Sequence, residues 1–133
     1  MNPETLVQTV ALAQSIGHVL VATADSKGLP HVAPADKMTL IPEGKKVTVE
    51  AWFCPGTVAN LQSNRQIALV IWDSKADKGY QVLGLTEGVE DIALLDRLAP
   101  GVESMLTQGK KRLYIRVAKV MAFQHAPHTD QEQ

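Results

Sequence analysis

The sequence predicts a mainly β protein: a six-stranded antiparallel β-barrel with a few short helices. Six segments read as strands, each bounded by turn-forming residues. Helical segments are few and do not fall between every pair of strands, as a doubly wound parallel sheet would require. The clearest strand, Lys46 to Phe53, puts Val47, Val49, Ala51 and Phe53 on one face and Thr48, Glu50 and Trp52 on the other.

The chain opens on a helix. Asn2 suits the cap, Pro3 the first turn and Glu4 the positive end of the helix dipole. Leu6, Val10 and Ala13 recur at helical spacing, and Gly17 is a stop signal. A strand follows from His18 to Asp25. Ser26-Lys27-Gly28 turns it into a second strand, Pro30 to Leu40. Pro30 and Pro34 cannot donate to a ladder, so this strand is expected at an edge or bulged, not central. Pro42 to Lys45 is a turn into the third strand.

After Cys54-Pro55-Gly56 the sequence predicts a short helix capped by Thr57, with Val58 and Leu61 inward. Ile67 to Trp72 is an unbroken apolar strand, expected to be buried on both faces or at an interface. Asp73 to Lys78 is a polar loop. Gly79 to Val89 is a fifth strand whose Gly84 and Gly88 mark bulges or close backbone approach. Ile92 to Leu98 is expected to be helical, with a further short helix around Met105. Arg112 to Phe123 is the last strand: Leu113, Ile115, Val117, Met121 and Phe123 share one side and Lys119 breaks the pattern. From Pro127 the tail is polar and expected to be loose, a description that covers roughly residues 124–133.

A chain of 133 residues fits one domain over residues 1–133 and can bury a core without disulfide or metal. The 45% apolar and 20% charged fractions are ordinary for a globular protein. A net charge of -1 gives no bulk field toward nucleic acid or acidic membranes, so neither is an expected partner. The single cysteine, Cys54, rules out a disulfide within the chain. Residues Met1 to Gln14 lack a signal-peptide pattern, and no apolar run approaches the ~20 residues that span a bilayer. The expected location is cytoplasmic.

The ordered series of segments carries a resemblance. Gly17 to Met38 (GHVLVATADSKGLPHVAPADKM), Lys46 to Asp73 (KVTVEAWFCPGTVANLQSNRQIALVIWD) and Gly79 to Asp91 (GYQVLGLTEGVED) resemble the pyridoxamine 5'-phosphate oxidase-like, FMN-binding split β-barrel superfamily. The likeness is nearest its short bacterial FMN-binding members. It covers most of the chain, through a G-x-P-H-x-x hairpin and a strand running into a T-x-x-N-L helix. The resemblance implies a homodimer with noncovalent FMN in a pocket at the subunit interface. It implies a phosphate site at the strand-to-helix turn, at Gly56, Thr57 and Asn60, and a flavin ring across the second and third strands. The ring positions would be Pro34, Ala35, Asp36 and Lys37 on one strand and Ala51, Trp52 and Phe53 on the other. Gly56 departs from the pattern, because the superfamily usually has lysine or arginine there.

The residues support parts of this reading independently. A helix opening at Pro55-Gly56-Thr57 offers unpaired backbone N–H groups and a favourable dipole to an anion. Lys37 can supply a cation if the strand keeps its alternation, which places it with Ala35 and His31. Arg65 and Lys75 are weaker candidates, and Lys110-Lys111-Arg112 reads as a solvated basic run that could reach across a dimer. Trp52 sits oddly on a polar face and suits a pocket wall, while Trp72 suits the core or a dimer contact. Cys54 has no activating histidine nearby in sequence, although the fold could bring His31 near, and the His125/His128 pair lies in the tail, so neither catalytic thiol nor metal site is expected. The resulting expectation is an FMN-dependent oxidoreductase acting on a small molecule, with no catalytic side chain assignable. The alternatives are a non-catalytic ligand-binding or electron-transfer module of the same fold, or a barrel holding a deazaflavin or haem-type ligand.

Overall fold

The computed structural model describes residues 2–41, 45–52, 54–94, 109–124 and 129–132. Helix α1 (Pro3–Ile16) begins as its sequence requires: the Asn2 side chain accepts a hydrogen bond from the Glu4 N–H, and Gly17 closes the helix at a positive φ of 94°. Its buried face is Leu6, Thr9, Val10 and Ala13. Strands β1 (Val19–Ala24) and β2 (Pro30–Ile41) form a hairpin. At its turn the Asp25 carboxylate accepts from the N–H groups of Lys27 and Leu29. Then follow β3 (Lys46–Trp52), α2 (Pro55–Ser63), β4 (Gln66–Asp73), β5 (Lys78–Leu94), β6 (Gly109–Gln124) and β7 (Thr129–Glu132).

Neighbouring strands run antiparallel in the order β3-β2-β1-β4-β5-β6-β7, and β3 also pairs with β6. That extra pairing closes β1 to β6 into a six-stranded antiparallel barrel, as expected from the sequence. Its interior is filled by alternate residues: Val19 and Val21, Val47 and Val49, Leu69 and Ile71, Val82, Leu113 and Ile115, all at most 2% exposed. Gly84 lies where β5 shifts register, and a Cβ there would sit 2.3 Å from the Arg116 carbonyl oxygen, so only glycine fits. Gly88 marks a second shift on the same strand.

Several expectations are corrected. Strand β2 is central, not an edge, because it pairs with β1 and β3. The bulge expected of it is present between Asp36 and Thr39, just beyond Pro34. Within the chain strand β4 is buried on one face only: Ile67, Leu69 and Ile71 fill the core while Ala68, Val70 and Trp72 are half-buried, which leaves the expected alternative of an interface. The helix expected from Ile92 is instead the end of β5 through Leu94, where pairing with Gly109 and Lys110 outweighs the leucine spacing. Residues 95–98 of that expected helix, the helix around Met105, the Pro42–Gly44 turn, His125 and His128 lie outside the described residues. In β6 a skipped residue opposite β5 changes the inward parity after Val117, so Val120 is buried in place of Met121. The tail is not wholly loose, since β7 pairs with Met121 to Gln124.

Candidate functional site

The start of α2 differs from the sequence expectation. The helix begins at Pro55, whose ring suits the first helical position, so Cys54 and not Thr57 occupies the cap. Cys54 makes no side-chain capping bond. Thr57 falls within the first turn, only 1% exposed, and its hydroxyl has no hydrogen-bond partner. One face of this helix looks onto the β1–β2 hairpin. Asn60 Nδ2 donates to Thr23 Oγ1 at 3.0 Å. Gly56 lies under the imidazole of His31, which stands opposite Thr23 in the ladder. Burial pushes the Cys54 thiol above its ordinary value, only partly offset by Lys111, which suits an inert core thiol.

Further along β2 two grooves adjoin. A groove of about 310 Å³ is lined by Pro34, Ala35, Asp36 and Ala51, with Gly17, His18 and Glu50. A second, of about 480 Å³, takes in Lys37, Met38 and Gln14 and shares Gly17, Asp36 and Glu50 with the first. The bulge sets their boundary. Lys37 adopts a positive φ of 50°, an uncommon conformation for a side chain-bearing residue. The bulge breaks the alternation expected to group Lys37 with Ala35 and His31, and Met38 turns into the core instead.

Glu50 organises the floor. Its carboxylate meets Lys110 Nζ and Arg112 Nη2, each at 3.0 Å, with Lys37 Nζ at 3.9 Å. Lys110 also lies 3.9 Å from Asp36 Oδ1, which is buried and accepts no hydrogen bond. Lys110 is 7% exposed, so the basic run read as solvated is in part a buried ion-pair partner within the chain. Burial pushes the Glu50 carboxyl up, but the hydrogen bonds from Lys110 and Arg112 more than offset it and leave it below its ordinary value. The bond to Glu50 holds the Lys110 ammonium above its ordinary value.

The expected site residues therefore fall in two places on β2 and its neighbours. Pro34, Ala35, Asp36, Lys37 and Ala51 line the grooves, while Gly56, Thr57 and Asn60 gather at the helix start near His31. Trp52 ends β3 opposite Lys110, but its side chain lies outside the described residues, as does Phe53. Sequence reading missed Glu50 and His18, and read Lys110 as solvated. The signal available was weak: a glutamate on a strand face of alternating polarity, and a basic run on the strand that pairs with it only in the folded barrel. Among the described residues no cluster of His, Cys, Asp or Glu could hold a metal ion. No helix among them is long and apolar enough to cross a membrane.

This geometry can be set beside known proteins. The sequence pattern of the pyridoxamine 5'-phosphate oxidase family matches residues 8–124. The chain belongs to that family. Solved structures of similar shape are distant in sequence and show the fold alone. One is a protein from Clostridium acetobutylicum related to general stress protein 26 of Bacillus subtilis, of the pyridoxinephosphate oxidase family. It has 17% identity and a TM-score of 0.66, over 99% of this chain and 96% of that one. Another is a pyridoxamine 5'-phosphate oxidase-related, FMN-binding protein from Nostoc punctiforme, with 7% identity and a TM-score of 0.67 over 99% and 90%. A third is HutZ, the haem storage protein of Vibrio cholerae, with 15% identity and a TM-score of 0.56 over 93% and 95%. No curated protein matches the chain.

The residues present fit a flavin phosphate. The Thr57 hydroxyl is buried without a partner, and the first turn of α2 has no side-chain cap. Both are what a bound anion would complete.

Proposed function

We propose that this family member is a dimeric FMN-binding flavoprotein that transfers electrons or hydride to or from a small molecule. The observation that carries the reading is the uncapped start of α2, with the partnerless Thr57 hydroxyl, next to grooves on the same strand hairpin. Gly56, Thr57 and Asn60 would hold the phosphate. Pro34, Ala35, Asp36 and Lys37, with Ala51, Trp52 and Phe53, would border the ring. From His31 to Pro34 the strand rises about 10 Å, a span suited to the ribityl chain between phosphate and ring. The flavin would supply the redox chemistry, and the chain's part is to orient it and exclude water.

The dimer has a surface to use. Leu20 and Val32 are 41% and 59% exposed on the outer face of the β1–β2 hairpin. Pro34, Ala22, Ala68 and Val70 lie beside them in register. Pro34 also lines the first groove, so a second copy seated there would complete the pocket wall. A dimer mass by light scattering at micromolar concentration supports this, and a monomer mass overturns it.

A second reading is a binding module of the same fold without turnover. It is favoured by the grooves' charges, since Glu50, Lys110 and Arg112 are committed to one another. The test is the absorption spectrum of the purified protein before and after adding FMN. Flavin bands that stay with the protein support FMN binding, and reduction of that flavin with turnover of a donor separates the oxidoreductase from the module. A protein that takes up no FMN but shows a shifted haem band on adding haem overturns the flavin reading.

A further inference from the structure

We propose that His31, a strand residue, supplies the side chain that reads the flavin phosphate at the start of α2; this rests on the flavin reading above. The helix itself carries no charged side chain from Pro55 to Ser63. Its first turn offers backbone N–H groups from Gly56 and Thr57 but no cation. His31 stands over that turn. A Cβ built on Gly56 would lie 3.1 Å from the imidazole Cε1 and 3.2 Å from Nε2, tighter than ordinary contact. The imidazole of the strand residue is therefore seated against the start of the helix.

The surroundings leave the ring available. His31 is exposed, and neither ring nitrogen has a hydrogen-bond partner among the described residues. Its ladder partner Thr23 is occupied by Asn60, which ties helix to hairpin and fixes the distance between ring and helix start. The titratable groups on the elements packed around it are Cys54, at the cap of α2, and Asp25 and Lys27, in the β1–β2 turn. The Asp25 carboxylate is already engaged by Lys27 and Leu29. On β2 itself the next charged residues are Asp36 and Lys37, beyond Pro34 and near Glu50.

The experiment measures binding of FMN and of riboflavin, which lacks the phosphate, by flavin fluorescence. It compares the wild type with His31→Gln and His31→Arg. The wild type is expected to prefer FMN over riboflavin by about tenfold or more. His31→Gln should lose about tenfold in FMN affinity, with riboflavin binding unchanged. His31→Arg should restore FMN affinity. If His31→Gln binds FMN as the wild type does, the role of His31 is overturned and the flavin reading stands. Equal wild-type affinity for FMN and riboflavin overturns phosphate recognition here. If neither flavin binds, the flavin reading falls and His31's role with it.

Discussion

At its Asp36 end, strand β2 meets charges that are already committed to one another; at its His31 end, it meets polar groups that are not. Glu50, Lys110 and Arg112 satisfy each other beneath the bulge, and Lys37 leans toward them. Around His31, among the described residues, the Thr57 hydroxyl has no partner and the start of α2 has no side-chain cap. Folding has no use for groups left this way, since a buried polar atom without a partner costs about 1–3 kcal/mol. The Glu50, Lys110 and Arg112 cluster therefore serves the barrel, and on the proposed reading the start of α2 is the part that takes the phosphate. Substitutions at the first should change stability and those at the second should change affinity.

The largest effect is expected from Glu50→Ala. It removes the carboxylate 3.0 Å from the buried Lys110 ammonium and should destabilise the fold by about 3 kcal/mol, read by urea denaturation. The same carboxylate predicts a pH effect. Its folded value lies below the ordinary 4.5 of a glutamate, so its contribution is present above that value and is lost as pH falls through the lower, folded one. Wild-type stability should thus fall more steeply than that of Glu50→Gln on acidification below about pH 4.5. A parallel fall in both proteins would break the assignment.

At the uncommitted end, Thr57→Val should weaken FMN binding by about tenfold while leaving the ligand-free protein at least as stable, because no protein hydrogen bond is removed. Loss of stability with unchanged affinity would reverse the contrast. The smallest effect separates the two helix starts. Asn2→Ala removes the one side-chain cap that α1 has, and should lower stability by about 1 kcal/mol without touching FMN affinity.

The barrel was legible because its signals are local and repeated. Val47, Val49 and Ala51 alternate, Asn2 and Gly17 bound the first helix, and Gly84 marks a place where backbone crowds backbone. The misreadings arose where pairing with a distant strand decided the outcome. Leu94 joins β5 because Gly109 lies opposite it, and Val120 turns inward because β6 skips a residue against β5. Pro34 reads as an edge residue, yet β2 is flanked on both sides. The site was half legible for the same reason. Pro34 to Asp36 and Ala51 follow strand order into one groove, whereas Glu50 with Lys110, and Gly56 with His31, are brought together only by tertiary closure.

The pairing of β3 with β6 has a consequence for how the chain reaches this form. Lys46 pairs with Arg116, across more than half the length of the chain, whereas β1 with β2 and β4 with β5 join through short turns. The two hairpins can form early at little loss of chain entropy, but the last seam must wait for β6. A nascent chain lacking β6 would carry Val47 and Val49 on a strand with one side unpaired, a surface prone to self-association until synthesis has passed Arg116.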